Sequence, residues 1–239
     1  MKNWTTSHDR VLAQRRAEGW MFLIDAAREL RAASSVAPGS TALARLLTDP
    51  VRLQAPHPLA VLYTGADSDA LTSALIAQLP RGSRLDIAEP NPRLASPLRS
   101  LVAAGPGRAD RHVEMNVYQT GVQDLDTAQR YDVIVSGRPL SGFTPVQVER
   151  IMARSVELLH PGGTLTYWVH LGLGDVLSLL SPKTGARRRA VVDKVVADYQ
   201  RTYTSRRWNM WAHLPPVRVW HLQRPLVSMC SHHHDGAAL

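Results

Sequence analysis

Apolar and polar positions follow two regimes along this chain. Over residues 1–33 the apolar positions recur at helical spacing. Trp20, Leu23, Ile24, Ala27 and Leu30 share one face, flanked by Arg15, Arg16, Arg28 and Arg31. Ser34-Ser35 and Ala37-Pro38-Gly39-Ser40 break this helix, a second is expected over 41–47, and Pro50, Pro56 and Pro58 read as a loop. From Leu59 onward short apolar runs alternate with amphipathic stretches. Strands are expected at 59–63, 84–88, 112–118, 131–136 and 164–170, with helices at 67–79, 91–102 and 144–159 between them. Thr144 and Gln147 form a capping-box pair with Pro145 at the first helical position. Val191, Val192, Val195 and Val196 point to one more helix, and strands at 208–213 and 217–222 close the sheet as an antiparallel pair around Leu214-Pro215-Pro216. Strands alternating with helices predict an α/β fold with a parallel sheet covered on both faces. The tail from Ser228 reads as unstructured.

This pattern divides the chain into an N-terminal helical segment (1–50), an α/β domain (51–224) and a flexible tail (225–239). A chain of 239 residues with 44% hydrophobic and 20% charged residues has enough apolar material for one large core. Its single cysteine, Cys230, excludes an internal disulfide, and no stretch reads as a signal peptide. Together these point to a reducing, cytoplasmic compartment. No apolar run approaches the ~20 residues that span a bilayer.

The formal charge of +8 leaves three readings open: simple solubility, a nucleic acid, or an anionic lipid surface. Residues 182–207 carry eight basic side chains against Asp193 and Asp198. With the Arg-flanked helix at 20–30 they suit peripheral membrane contact, although that apolar face serves equally as a lid over a site.

In an open α/β sheet, ligands bind beyond the carboxyl ends of the strands. Gly65, Glu89 and Ser136-Gly137 occupy that rim here. An acidic residue ending the second strand is placed to accept hydrogen bonds from two ribose hydroxyls, and Glu89 lies 24 residues after Gly65. The competing role for Glu89 is capping of the next helix beside Pro90. Asp67, Ser68 and Asp69 likewise suit a helix start. No metal motif is evident; His232-His233-His234 with Asp235 lacks a second ligand cluster.

Val61-Leu62-Tyr63-Thr64-Gly65-Ala66 followed by Leu85-Asp86-Ile87-Ala88-Glu89-Pro90-Asn91 resembles the first two motifs of class I S-adenosylmethionine-dependent methyltransferases. Tyr131-Asp132-Val133-Ile134-Val135-Ser136-Gly137-Arg138-Pro139-Leu140 and the Pro161-Gly162-Gly163 turn bring the resemblance closer to the bacterial phospholipid N-methyltransferases. Val36 to Ser40 and Leu214 to Val219 resemble further pieces of that family. The glycine loop is degenerate: Gly65 remains, while Asp67 and Asp69 occupy the other two glycine places, and Tyr63 stands where the first strand usually ends in an acid.

The resemblance implies a Rossmann-like, mostly parallel seven-stranded sheet with S-adenosyl-L-methionine as cofactor. Tyr63, Gly65, Asp67, Glu89, Pro90, Gln123, Asp124 and Ser136 would contact it, with Asp67 pairing its ammonium and Asp124 near its adenine. Tyr167 and His170, at the end of the fifth strand, are the catalytic candidates. Each also has a plain structural reading, Tyr167 as core and His170 as a packed histidine. The implied activity is methyl transfer to an amine or hydroxyl of a phospholipid or a small-molecule acceptor. Two rival readings stand beside it: a methyltransferase-like partner protein without catalysis, and an enzyme that uses the cofactor for other chemistry. A nucleic acid acceptor has only charge in its favour, since Ser136-Gly137-Arg138-Pro139 stands where base methylases carry an Asn/Asp-Pro-Pro-aromatic motif.

Overall fold

The computed structural model describes residues 38–66, 69–104, 113–171, 183–211, 213 and 216–226. The expected helix at 20–30, the contacts of Asp67, the Leu214-Pro215 turn and the C-terminal tail lie outside them. In chain order the elements are α1 (Pro38–Gln54), β1 (Ala60–Thr64), α2 (Asp69–Gln78), β2 (Arg84–Ala88), α3 (Pro92–Ala104), β3 (Glu114–Tyr118), β4 (Tyr131–Ser136), α4 (Pro145–Leu158), β5 (Leu159–His170), α5 (Lys183–Thr202), β6 (Thr204–Met210) and β7 (Val217–Gln223). The strands form one sheet in the order β3-β2-β1-β4-β5-β7-β6. β1 to β5 run parallel, and β7 lies antiparallel between β5 and β6.

Side chains that alternate along each strand build two cores. Val61 and Tyr63 of β1, Leu85 and Ile87 of β2, and Val133 and Val135 of β4 face one way, onto Leu43, Leu47 and Val51 of α1 and Leu71 and Leu75 of α2. Leu62, Ile134, Leu165 and Tyr167 face the other way, onto Val148, Ile151 and Met152 of α4 and Val192 and Val196 of α5. Burial on both faces explains why these strands read as continuous apolar runs. The Thr144–Gln147 capping box forms as expected at the start of α4, with Gln147 N–H donating to Thr144 Oγ1 at 3.3 Å and Thr144 N–H donating to Gln147 Oε1 at 2.9 Å.

Two local expectations are corrected. Pro50 lies inside α1, not in a loop. A proline has no N–H for the carbonyl four residues before it, here that of Leu46. His221 of β7 supplies the missing donor, with Nε2 3.1 Å from the Leu46 oxygen. Its ring packs on Trp208, centroids 4.4 Å apart, and burial pushes its pKa below the ordinary value. The helix therefore continues across residue 50 and lies on the sheet. The sixth strand begins at Thr204, four residues before the expected start, because an edge strand presents polar residues such as Arg206 and Arg207 to solvent.

Candidate functional site

The strand order reverses between β1 and β4, so the crevice at their carboxyl ends is the topological switch point. The loops after β1 and β4 meet there. Gly65 follows β1 with φ +65° and donates its N–H to the Ala88 carbonyl at 3.0 Å. Gly137 follows β4 and donates its N–H to the Thr64 carbonyl at 2.8 Å. A Cβ built on Gly137 would lie 2.6 Å from the Gly65 carbonyl oxygen and 2.8 Å from the Tyr63 ring. The Gly137 oxygen accepts the indole N–H of buried Trp168 at 2.8 Å, which ties β5 to the same floor. Here only a residue without a side chain lets three strands converge. Gly137→Ala is expected to destabilise the fold by about 1–3 kcal/mol through overpacking. Gly142→Ala, with nothing within 4 Å of its added methyl, should leave the melting temperature unchanged. Thermal melts of the two variants check the contrast.

Glu89 ends β2 and is completely buried. Its N–H donates to the Tyr118 carbonyl at 3.0 Å, and its Oε1 accepts the Asn91 N–H at 2.8 Å. Asn91 itself caps the first turn of α3, accepting the Arg93 N–H at 3.0 Å. Helix capping therefore accounts for at most one oxygen of Glu89. The other, Oε2, is buried and has no hydrogen-bond partner among the described residues. A buried carboxylate oxygen left unpaired is costly, and in a native site it calls for an explanation.

The remaining sequence candidates spread around this rim. Ser136 is buried, pairs in register with Thr64, and donates its hydroxyl to the Arg138 carbonyl at 3.2 Å. Pro90 is exposed beside Glu89, and Tyr63 is fully buried beneath Gly137. Gln123 folds over Gly121 and donates to Asp124 at 2.7 Å, and Asp124 is held from the other side by Arg150 at 2.7 Å. These two residues follow β3 and are tied to each other and to α4.

Tyr167 and His170 stand apart. Tyr167 pairs in register with Trp220 and belongs to the α4–α5 core, whereas His170 pairs with Val217 on the opposite face. Burial pushes the Tyr167 phenol above its ordinary pKa, and the hydroxyl accepts Gln200 Nε2 at 2.7 Å. That group is uncharged at neutral pH. His170 is half-buried at the rim, edge-on to Trp168 with centroids 4.9 Å apart.

Sequence reasoning put Gly137 on the rim but gave no role to Trp168 or Arg138. The aliphatic part of Arg138 lies over Gly65, where a built Cβ would meet its Cγ at 2.6 Å, and its guanidinium stands 5.6 Å from the Phe143 ring centroid. The one available signal was position, directly after a strand end that borders the switch point. Among the described residues no three His, Cys, Asp or Glu side chains gather as a metal site, and no helix is long and apolar enough to cross a membrane.

Solved structures share this architecture. The chain is similar to the N-methyltransferase NodS of Bradyrhizobium japonicum WM9, with TM-score 0.59 and 17% identity over 80% of this chain and 98% of that one. An O-methyltransferase from Bacillus cereus, solved in complex with SAH, matches with TM-score 0.57 and 16% identity over 85% and 88% of the two chains. The O-methyltransferase TomG of Streptomyces achromogenes, solved with SAM, matches with TM-score 0.54 and 17% identity over 79% and 81%. The fold is that of the class I methyltransferases. No family model and no curated protein matches the sequence.

Proposed function

We propose that this protein is an S-adenosylmethionine-dependent methyltransferase acting on an amine or hydroxyl of a phospholipid or small-molecule acceptor. The observation that carries the reading is the buried Oε2 of Glu89 at the end of β2, which has no partner among the described residues. A ribose presents two hydroxyl donors, and such a donor completes the shell of a carboxylate that the described residues leave unfinished. Glu89 would hold the ribose, Gly65 and Ser136 would line the crevice beside it, and Gln123 and Asp124 would lie toward the adenine. Asp67 is proposed as the partner of the ammonium. When bound, the cofactor supplies an electrophilic methyl group on a sulfonium.

The protein's own part is alignment and exclusion of water. Gly137 and Trp168 fix the floor where β1, β4 and β5 converge. His170 is the proposed base, placed at the rim to take the proton of an attacking amine or hydroxyl. Tyr167 holds Gln200 of α5 behind the strand and stays uncharged.

The acceptor proposed first is an ethanolamine phospholipid, reached by peripheral contact with the membrane. Exposed Arg187, Arg188 and Arg201 on α5 and Arg206 and Arg207 on β6 support it by charge. The test offers S-adenosylmethionine with a labelled methyl group to mixed vesicles of anionic and ethanolamine lipids and, in parallel, to a panel of soluble amines and phenols. Label is expected in the ethanolamine lipid, falling as salt rises. Label confined to soluble acceptors would remove the lipid and keep the methyltransferase. Absence of any transfer or cofactor turnover would contradict the catalytic reading.

A further inference from the structure

We infer that Arg138 is the anchor for the carboxylate at the amino-acid end of the cofactor, in place of the backbone amides of a glycine-rich loop. The inference rests on the methyltransferase reading above and assigns a role to a residue that reading does not use. Four observations lead to it.

The first is position. The strand order β3-β2-β1-β4 lays out the rim as a line. Gln123 and Asp124 follow β3, Glu89 ends β2, and Arg138 follows β4. From β2 to β4 is two strand spacings, about 10 Å. A nucleoside whose ribose lies at Glu89, with its base toward β3, directs its remaining arm across β1 toward Arg138.

The second is the state of the backbone donors. The N–H groups of Gly65 and Gly137 border the switch point, and both are already given to carbonyls, those of Ala88 and Thr64. Neither is free to cradle an anion. A carboxylate arriving beside these two glycines therefore needs another donor, and the side chain that lies over Gly65 is that of Arg138.

The third is packing. The Cγ and Cδ of Arg138 lie against the open face of Gly65, so the stem is fixed by a glycine that no other residue could replace without collision. The Phe143 ring lies beneath the guanidinium. The stem is thus held while the charged end stays at the surface of the crevice, since the residue is exposed.

The fourth is availability. Among the described residues the Arg138 guanidinium has no carboxylate within salt-bridge distance, whereas Arg84, Arg150, Arg154 and Arg201 all do. A planar fork with unused donors is the group best suited to a carboxylate.

The test measures equilibrium binding by calorimetry with two probes: S-adenosylhomocysteine, which carries the amino acid, and methylthioadenosine, which carries the nucleoside and thioether without it. The variants are Arg138→Met, which keeps the aliphatic stem over Gly65, and Arg138→Lys, which keeps the charge without the fork. Arg138→Met is expected to weaken S-adenosylhomocysteine by about 10- to 100-fold, the value of a charged hydrogen-bonded contact, and to leave methylthioadenosine unchanged. Arg138→Lys should fall between wild type and Arg138→Met. Equal loss for both probes, or no loss for S-adenosylhomocysteine, would overturn the role of Arg138 while leaving the cofactor reading intact. Failure of both probes to bind the wild-type protein would instead overturn the cofactor reading and this inference with it.

Discussion

Asp86→Ala is expected to lower the melting temperature by about 6–12 °C, the consequence of roughly 3 kcal/mol lost from a fold of this size. Asp86 faces the α4–α5 side of β2 and is completely buried. Every lone pair direction is used: Arg84 Nε lies 3.0 Å from each oxygen, Asn116 Nδ2 2.9 Å from Oδ1, and the Tyr131 hydroxyl 2.7 Å from Oδ2. The hydrogen bond to Asp86 holds the Arg84 guanidinium above its ordinary pKa, and burial followed by the bond to Asp86 does the same for Tyr131. Removing the carboxylate strands a buried phenol and a guanidinium that is only 25% exposed. Because Arg84 reaches water in part, the loss falls at the lower end of the range for a broken buried pair. Asp86→Asn, which keeps one acceptor oxygen, should lose roughly half as much. Thermal and urea melts followed by circular dichroism check both values.

Glu89→Ala is expected to act in the opposite sense. The carboxylate three residues along the same chain is buried, with one oxygen that has no partner among the described residues. Its removal relieves an unmet desolvation cost, so the ligand-free protein should be as stable as wild type or more so. Affinity for S-adenosylhomocysteine should fall by about tenfold or more, the worth of charge-assisted bonds to a ribose. A variant that melts no lower yet binds more weakly separates a functional carboxylate from a structural one. If Glu89→Ala instead melts several degrees lower and binds normally, the residue belongs with Asp86 as part of the framework.

The contrast between these two carboxylates marks how far the sequence could be read. The central strands were legible because each is buried on both faces and bounded by glycine, proline or charge, as at 84–88 and 131–136. The start of α4 was legible because a capping box is local. Pro50 was misread because its tolerance depends on His221, 175 residues from Leu46 along the chain. The β6 boundary was misread because apolar Trp208 and Met210 stood out from polar neighbours that pair equally well at a sheet edge. The place of Glu89 at the end of the second strand was legible, because an acid directly after a buried apolar run bounds the strand. Gly137 was legible as a rim position but not as a close contact, and Arg138 was not legible, because their constraints come from Gly65 and Tyr63 across a crossover. Tyr167 and His170 were grouped because the resemblance puts functional side chains at the end of the fifth strand, while three residues along a strand point them to opposite faces.

The most direct measurement is calorimetric titration of the wild-type protein with S-adenosylhomocysteine, paired with its thermal shift. Saturable one-to-one binding that raises the melting temperature with ligand concentration is the expected result. No heat and no shift at millimolar ligand, from a protein folded by circular dichroism, would contradict the account.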